Sequence, residues 1–333
     1  MNKWLPPWLV QTIRRLRFLS AGLSVALVVA CGGGDDATSY RSVAMAGELI
    51  DYSLDIGNLT YTYTITESQF GLAGTTGNGT LTRNDDGSYT PSGAPGSRLV
   101  VLPNGLMLGA VREPFGTAVS TQAIIGVKDP VTTTGALAAD YNYVQRGCVS
   151  ALCSASAGTL RIDATGTWTS CRDGNIAAGT CTGTAATGTL EPRGEGRWQM
   201  KTDDGTEIGT AIGFDADGQK GLVVDLKDQR VGGYGNGILI GGQQAPMSST
   251  VTDGSWIAAV SSGSWVAFTA SGRDIAITLF DGVPVDLRLT IAANDPWPGM
   301  ATTAWGEVGF IIGAGLYVLK TPGGDLELGL KLP

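Results

Sequence analysis

The chain has 333 residues, 50 of them Gly and 14 Pro, and only 16% are charged. Gly at about one residue in seven is roughly twice the usual share. It disfavours helix, where each Gly costs ~1 kcal/mol relative to Ala, and suits short strands joined by tight turns. The sequence contains 0 His, which excludes Ser-His-Asp and Cys-His machinery, imidazole metal ligation and a His general base.

Residues 1–30 read as an export signal and stand outside fold reasoning. Lys3, Arg14, Arg15 and Arg17 make a basic n-region, and Phe18 to Ala30 is a mostly apolar run, too short to span a ~30 Å hydrocarbon core comfortably as a helix. The run ends Val28-Val29-Ala30-Cys31: an aliphatic residue at −3, a small one at −1, then Cys. This resembles the lipobox of bacterial lipoprotein precursors. The resemblance implies cleavage before Cys31, with lipid on its sulfur and amino group. Asp after the cysteine favours inner-membrane retention in such lipoproteins; Gly32 stands there instead, which implies the outer membrane, on its periplasmic or its cell-surface face. Attachment then rests on several acyl chains, each buried CH₂ contributing ~0.8 kcal/mol. The span 31–45, opening GGGDDATS from Gly32, reads as a flexible tether without apolar periodicity. Removing the signal leaves 18 basic against 30 acidic residues. That surface repels phosphate backbones, so nucleic acid is not an expected partner.

Further along, the chain resembles itself, with a repeated β-meander region over 46–240. Gly79-Thr80-Leu81 precedes Gly87-x-Tyr89, Gly158-Thr159-Leu160 precedes Gly166-x-Trp168, and Gly188-Thr189-Leu190 precedes Gly196-x-Trp198. The shared spacing reads as a β-hairpin: alternating residues, a Gly-containing turn, and an aromatic on the return strand. Tyr61-Thr62-Tyr63 and Tyr141-Asn142-Tyr143 lie upstream of the first two copies. Asn104-Gly105 through Lys128-Asp129 parallels Asp204-Gly205 through Lys227-Asp228. The repeats therefore run about 60–130 and 139–228. Strands are expected at 60–67, 78–84, 88–92, 98–103, 106–113 and 122–129 in the first. In the C-terminal region, 250–333, strands are expected at 255–260, 264–270, 273–280, 284–291, 304–312, 315–321 and 325–332. A third, more diverged copy is read there from Glu307-Val308-Gly309 beside Glu207-Ile208-Gly209. Leu326, Leu328, Leu330 and Leu332 alternate with Glu327 and Lys331, so one face of the last strand is buried. The expected class is all-β: antiparallel meanders with internal repeats, closing into barrel-like or sandwich-like domains that hide their edges. The domain split is placed near 230–250, or alternatively near 130–138.

Four cysteines remain after Cys31. Cys148, Cys153, Cys171 and Cys181 are spaced C-x4-C and C-x9-C, which suits disulfides in an oxidising compartment and fits zinc poorly for want of a C-x2-C pair. Three connectivities exist; Cys148–Cys153 with Cys171–Cys181 is preferred because both close short loops. The meander places all four at one rim of the second module, where stapled loops are either a binding surface or tolerated insertions.

No catalytic residue and no cofactor is assigned. Asp85, Asp86, Asp203, Asp204, Asp215 and Asp217 sit beside turn glycines, where Asp serves hairpin geometry. Phe214-Asp215-Ala216-Asp217-Gly218 lacks the further ligands of a calcium loop, and no metal site is expected. Glu307 is the acid set in an apolar strand. Trp168 and Trp198 are expected in the core. Trp297, in Asn294-Asp295-Pro296-Trp297-Pro298-Gly299, is expected to be the exposed aromatic, and Trp297 with Trp305 are the candidate binding residues. The expectation is a non-enzymatic lipoprotein of the cell envelope, anchored to the membrane by its N-terminal lipid. It would bind another envelope protein, a glycan or a small apolar ligand. The alternative is a structural or adhesive surface lipoprotein; a carboxylate-based hydrolase and a transmembrane β-barrel rank lower.

Overall fold

The computed structural model describes residues 37–332 except 95, 116–117, 150–151, 182–184, 228–235, 249, 251, 262–263, 272–273, 280–283, 286–290 and 314. Residues 1–30, read above as an export signal, and Cys31 lie outside the described residues.

Three antiparallel meanders follow one another along the chain. The first comprises β1 (Thr38–Ala44), β2 (Glu48–Asp55), β3 (Thr60–Ser68), β4 (Thr76–Arg83), β5 (Tyr89–Pro91), β6 (Val100–Val101), β7 (Leu106–Phe115) and β8 (Ala118–Val127). Its first and last strands pair, giving the order β5-β4-β3-β2-β1-β8-β7-β6. Tyr89 and Leu99 exchange two backbone hydrogen bonds of 2.8 Å, so a single bridge joins the two edges. A four-residue helical turn, α1 (Thr134–Leu137), leads into the second meander. This is β9 (Ala139–Val149), β10 (Leu152–Ile162), β11 (Thr167–Arg172), β12 (Ala185–Gly194), β13 (Arg197–Thr202), β14 (Glu207–Ala216), β15 (Gln219–Leu226) and β16 (Asn236–Gln243). Here β16 pairs with β9 and the barrel is closed. The third meander holds β17 (Gly254–Val260), β18 (Trp265–Ser271), β19 (Asp274–Leu279), β20 (Pro284–Val285), β21 (Ile291–Ala293), β22 (Met300–Thr303), β23 (Val308–Ile312), β24 (Leu316–Lys320) and β25 (Leu326–Lys331). Again first and last strands pair, and β20 and β21 are the two edges of an open sheet.

Two stretches differ from the sequence reading. Strand β1 spans Thr38–Ala44, inside the span assigned to a tether, because Tyr40, Val43 and Ala44 are buried. Residues 236–243, within the Gly-rich stretch taken as a boundary, form the strand that closes the barrel. Ile238 and Ile240 face outward into one core while Leu239 faces the barrel interior. Gly237 lies so close to the Arg146 carbonyl that a Cβ there would collide with it. Gly-rich composition mimics a linker; burial on both faces makes this one a strand.

The repeated hairpins have a common physical basis. Gly87, Gly166 and Gly196 take φ of 82°, 89° and 72° at their turns, a left-handed conformation that favours Gly. The first Gly of each motif does something else. Gly79 lies opposite Tyr61, Gly158 opposite Tyr143 and Gly188 opposite Trp168. Each seats the neighbouring ring: a Cβ at any of the three would fall under 3.0 Å from it. The same arrangement recurs as Tyr63–Gly77, Phe214–Gly221 and Tyr317–Gly329. The glycine gives up side-chain packing and the ring lies across the gap, a known way of stabilising glycine in strands.

Tyr61, Tyr63, Tyr143 and Trp168 help fill two interiors. The barrel holds Tyr141, Tyr143, Leu160, Trp168, Trp198, Leu222 and Leu239 in one buried cluster, plugged at one end by Leu137 of α1. Trp168 Nε1 donates to the carbonyls of Thr189 (3.2 Å) and Lys201 (3.0 Å). In the first meander Tyr52 stacks on Tyr61 and Tyr63 at 5.5 and 5.9 Å. A third cluster, from Val43 and Leu106 through Ile212 and Ile240 to Ile257 and Leu328, unites all three sheets. The barrel is therefore apolar inside, whereas Thr187, Thr189 and Glu191 of β12 are exposed on its outer face, the reverse of a membrane barrel with a polar lumen. Among the described residues no helix is long and apolar enough to cross a membrane.

Charged groups tie the first meander to the barrel. Arg193 Nη1 meets Glu67 at 2.9 Å, Arg41 Nη2 meets Glu195 at 2.8 Å, and Lys227 meets Glu67 at 3.1 Å; Arg197 also pairs with Asp51. Behind them lie two fully buried acids. Glu48 accepts from Ser68 Oγ at 3.0 Å, and Asp225 Oδ1 has no hydrogen-bond partner. Burial lifts Glu48 to about 7, against partial relief from Ser68 and the backbone N–H groups of Gln69 and Phe70. Burial, then the nearby Glu67, raises Asp225 well above the carboxylate range.

Two outcomes follow from this packing. Gly188→Ala should lower stability by ~2 kcal/mol or more, because the added methyl meets the Lys201 carbonyl as well as the Trp168 ring; urea unfolding followed by tryptophan fluorescence measures it. For Glu48, the folded state binds the extra proton between its ordinary 4.5 and about 7, so stability falls as pH rises through that window. Glu48→Gln should match the wild type at pH 5 and exceed it at pH 8, by on the order of 2–3 kcal/mol. Thermal melts at the two pH values test this, and a constant difference between the proteins would contradict it.

Candidate functional site

The barrel interior is filled, whereas on the concave face of the third meander apolar side chains line open space. A cavity of about 130 Å³ lies there. Alternation along the strands creates it. Leu326, Leu328 and Leu330 of β25 and Leu316 and Val318 of β24 point into the shared core. Their neighbours Glu327 and Tyr317 line the cavity with Trp256, Phe268 and Leu319. Trp256 stacks on Phe268 with ring centroids 6.1 Å apart, and Tyr317 sets its edge against both at 5.4 Å. Gly329 lies opposite Tyr317 and leaves room for its ring.

Two carboxylates share this face. The Tyr317 hydroxyl donates to Glu327, and Thr303 Oγ1 donates to Glu307 Oε2 at 3.0 Å. Burial is the main reason Glu327 titrates above the usual carboxylate range; the Tyr317 hydroxyl pulls it back and Glu307 pushes it further up. Burial likewise raises Tyr317, reinforced by Glu327. Lys331 Nζ lies 5.9 Å from the Trp256 ring centroid and borders a neighbouring polar cleft with Asp217, Gln219 and Gln243.

The residues singled out in the sequence fall in different places. Trp305 is 52% exposed and lines the cavity. Trp297 is not the exposed aromatic: its ring packs, half-buried, against the shared core. Its loop is drawn in because Asn294 Oδ1 accepts from the N–H groups of Met247 (2.8 Å) and Gly299 (3.0 Å). Trp297 and Trp305 therefore do not form one site. Asp86, Asp204 and Asp215 accept from the N–H groups of Ser88 (2.9 Å), Thr206 (3.0 Å) and Gly218 (2.7 Å), which is turn chemistry. Cys148 is bonded to Cys153 and Cys171 to Cys181, all at one end of the barrel and away from the cavity's lining. Among the described residues no group of three or more His, Cys, Asp or Glu could hold a metal ion. Sequence reasoning missed Tyr317, Glu327, Trp256 and Phe268. The alternation around Leu328 assigned Glu327 to the polar side of its strand, and nothing local shows that this side is concave.

No family model matches the chain, and no curated protein matches it. Among solved structures it is similar to the haemoglobin receptor HpuA from Kingella denitrificans, with 14% identity over 64% of this chain and 88% of that one and a TM-score of 0.28. It is also similar to a double mutant of Transferrin Binding Protein B (TbpB) from Haemophilus parasuis Hp5. There the identity is 12% over 85% of this chain and 65% of that one, with a TM-score of 0.25. Superpositions this loose transfer neither fold nor function.

The hydroxyl–carboxylate contact in the cavity is directly testable. Tyr317→Phe removes the donor that holds Glu327 down, so Glu327 should titrate higher still in that variant. Carbon-13 NMR of glutamate carboxyls would read the shift; an unchanged titration would mean that the hydrogen bond contributes nothing.

Proposed function

We propose that this chain is a lipid-anchored binding protein of the outer membrane, held by acyl chains on Cys31, and that it takes a small apolar ligand into the concave face of its third meander. The supporting observation is the aromatic-lined cavity of about 130 Å³ in a protein whose barrel interior is packed with side chains. A cavity of ~150 Å³ holds a benzene-sized molecule, so this one suits a single ring or a short alkyl group. That size also favours binding over glycoside hydrolysis, whose cleft must hold sugar on both sides of the scissile bond. A second reading, docking of an envelope protein, draws support from Leu152, which is 83% exposed on the stapled β9–β10 hairpin.

Titrating the mature protein with 1-hexanol should change tryptophan fluorescence saturably, through Trp256 and Trp305. Ala301→Phe, which adds a ring at a lining position, should abolish that response while leaving the far-UV spectrum unchanged. A response that survives Ala301→Phe would move the ligand elsewhere. For the anchor, Cys31→Ala should abolish lipid labelling and membrane retention; an unchanged membrane fraction would contradict anchoring.

A further inference from the structure

The cavity has two chemically distinct ends. Trp256 pairs with Phe268 across β17 and β18, forming the aromatic end. Four residues further along β17, Val260 pairs with Glu327, so the backbone of that residue is about 13 Å further along the sheet at ~3.3 Å per residue. Glu327 in turn pairs with Leu319, and Leu319 with Gly309. Glu307 lies two residues before Gly309 and so belongs to the same end. Tyr317 stands between the ends, its ring against Trp256 and Phe268 and its hydroxyl on Glu327. Trp305 borders the cavity as its exposed ring.

Among the described residues, charge is unbalanced at the carboxylate end. Among the described residues neither Glu307 nor Glu327 has a salt bridge; each has only a hydroxyl donor. The Lys331 ammonium, close to the aromatic cluster, is four residues along β25 from Glu327 and borders the neighbouring cleft. Two like charges in apolar surroundings repel, and an entering cation relieves both the repulsion and the desolvation cost. Aromatic faces add attraction for an organic cation.

Building on the reading of this cavity as a binding site, we infer that its ligand is an amphiphilic organic cation. A short apolar chain or ring lies against the cluster of Trp256, Phe268 and Tyr317, and an ammonium head lies between Glu307, Glu327 and Trp305. A neutral apolar molecule uses only the first end, and a bare cation only the second.

Fluorescence or calorimetric titration of the mature chain with three probes tests this: hexyltrimethylammonium, 1-hexanol and tetramethylammonium. The hexyl cation should bind at least about tenfold more tightly than either of the others. Glu307→Gln and Glu327→Gln should each weaken the hexyl cation several-fold while leaving 1-hexanol within about twofold, which also shows that the variants are folded. Equal affinity of the hexyl cation and 1-hexanol in the unaltered protein would overturn the cation assignment and leave the apolar site standing. Absence of binding by all three would overturn the site itself. If a variant also loses 1-hexanol, the ratio of affinities in the unaltered protein decides.

Discussion

A ring seated over a glycine on the neighbouring strand is the contact on which the rest of this architecture depends. It occurs as Tyr61–Gly79, Tyr63–Gly77, Tyr143–Gly158, Trp168–Gly188, Phe214–Gly221 and Tyr317–Gly329, in all three meanders. Curved sheets bring side chains together on their concave side, and a large ring fits there only if its cross-strand neighbour gives way. In the barrel Tyr143 and Trp168 help fill the interior, while Phe214 packs outside it in the shared core. In the third meander, whose edges β20 and β21 do not pair among the described residues, the same device holds Tyr317 against an interior that keeps open space. Filled and open interiors are thus two outcomes of one packing rule.

The second constraint is the shared core. Strands β15 and β16 are apolar on both faces, with Leu222, Val224 and Leu239 inside the barrel and Val223, Ile238 and Ile240 outside. The outer set meets Val43 and Leu106 from the first meander and Ile257 and Leu328 from the third. Burying such residues contributes ~1.5–3 kcal/mol each, which outweighs exposed ion pairs such as Arg193–Glu67. The buried Glu48 and Asp225 run the other way: they cost stability when charged, and they lie where the first meander meets the barrel.

Much of the local structure was legible from residue order. The G-T-L hairpins, the buried Trp168 and Trp198, and the turn-bound Asp86, Asp204 and Asp215 all follow from spacing, because a hairpin is decided by residues a few positions apart. Strands β1 and β16 were hidden for the complementary reason. Thr38–Ala44 and Asn236–Gln243 are short and bordered by Gly-rich sequence, and they become strands by pairing with β8 and β9, some 80 and 90 residues away along the chain. Trp297 was misplaced on similar grounds: its Pro- and Gly-rich loop reads as exposed, yet Asn294 ties that loop to Met247 and turns the ring toward the core.

The sequence by itself determined the all-β class, the hairpin positions, the absence of histidine chemistry and the lipobox resemblance, since composition and short-range spacing are enough for each. Only the tertiary structure decided which of the many glycines carry rings, which meander closes and which stays open. It alone brought Glu307, just before β23, and Glu327 of β25, 20 residues apart, to one end of an aromatic cavity. The physical reason is that curvature and first-to-last strand pairing are long-range properties: they decide whether the second face of an alternating strand meets water, a packed core or an enclosed space.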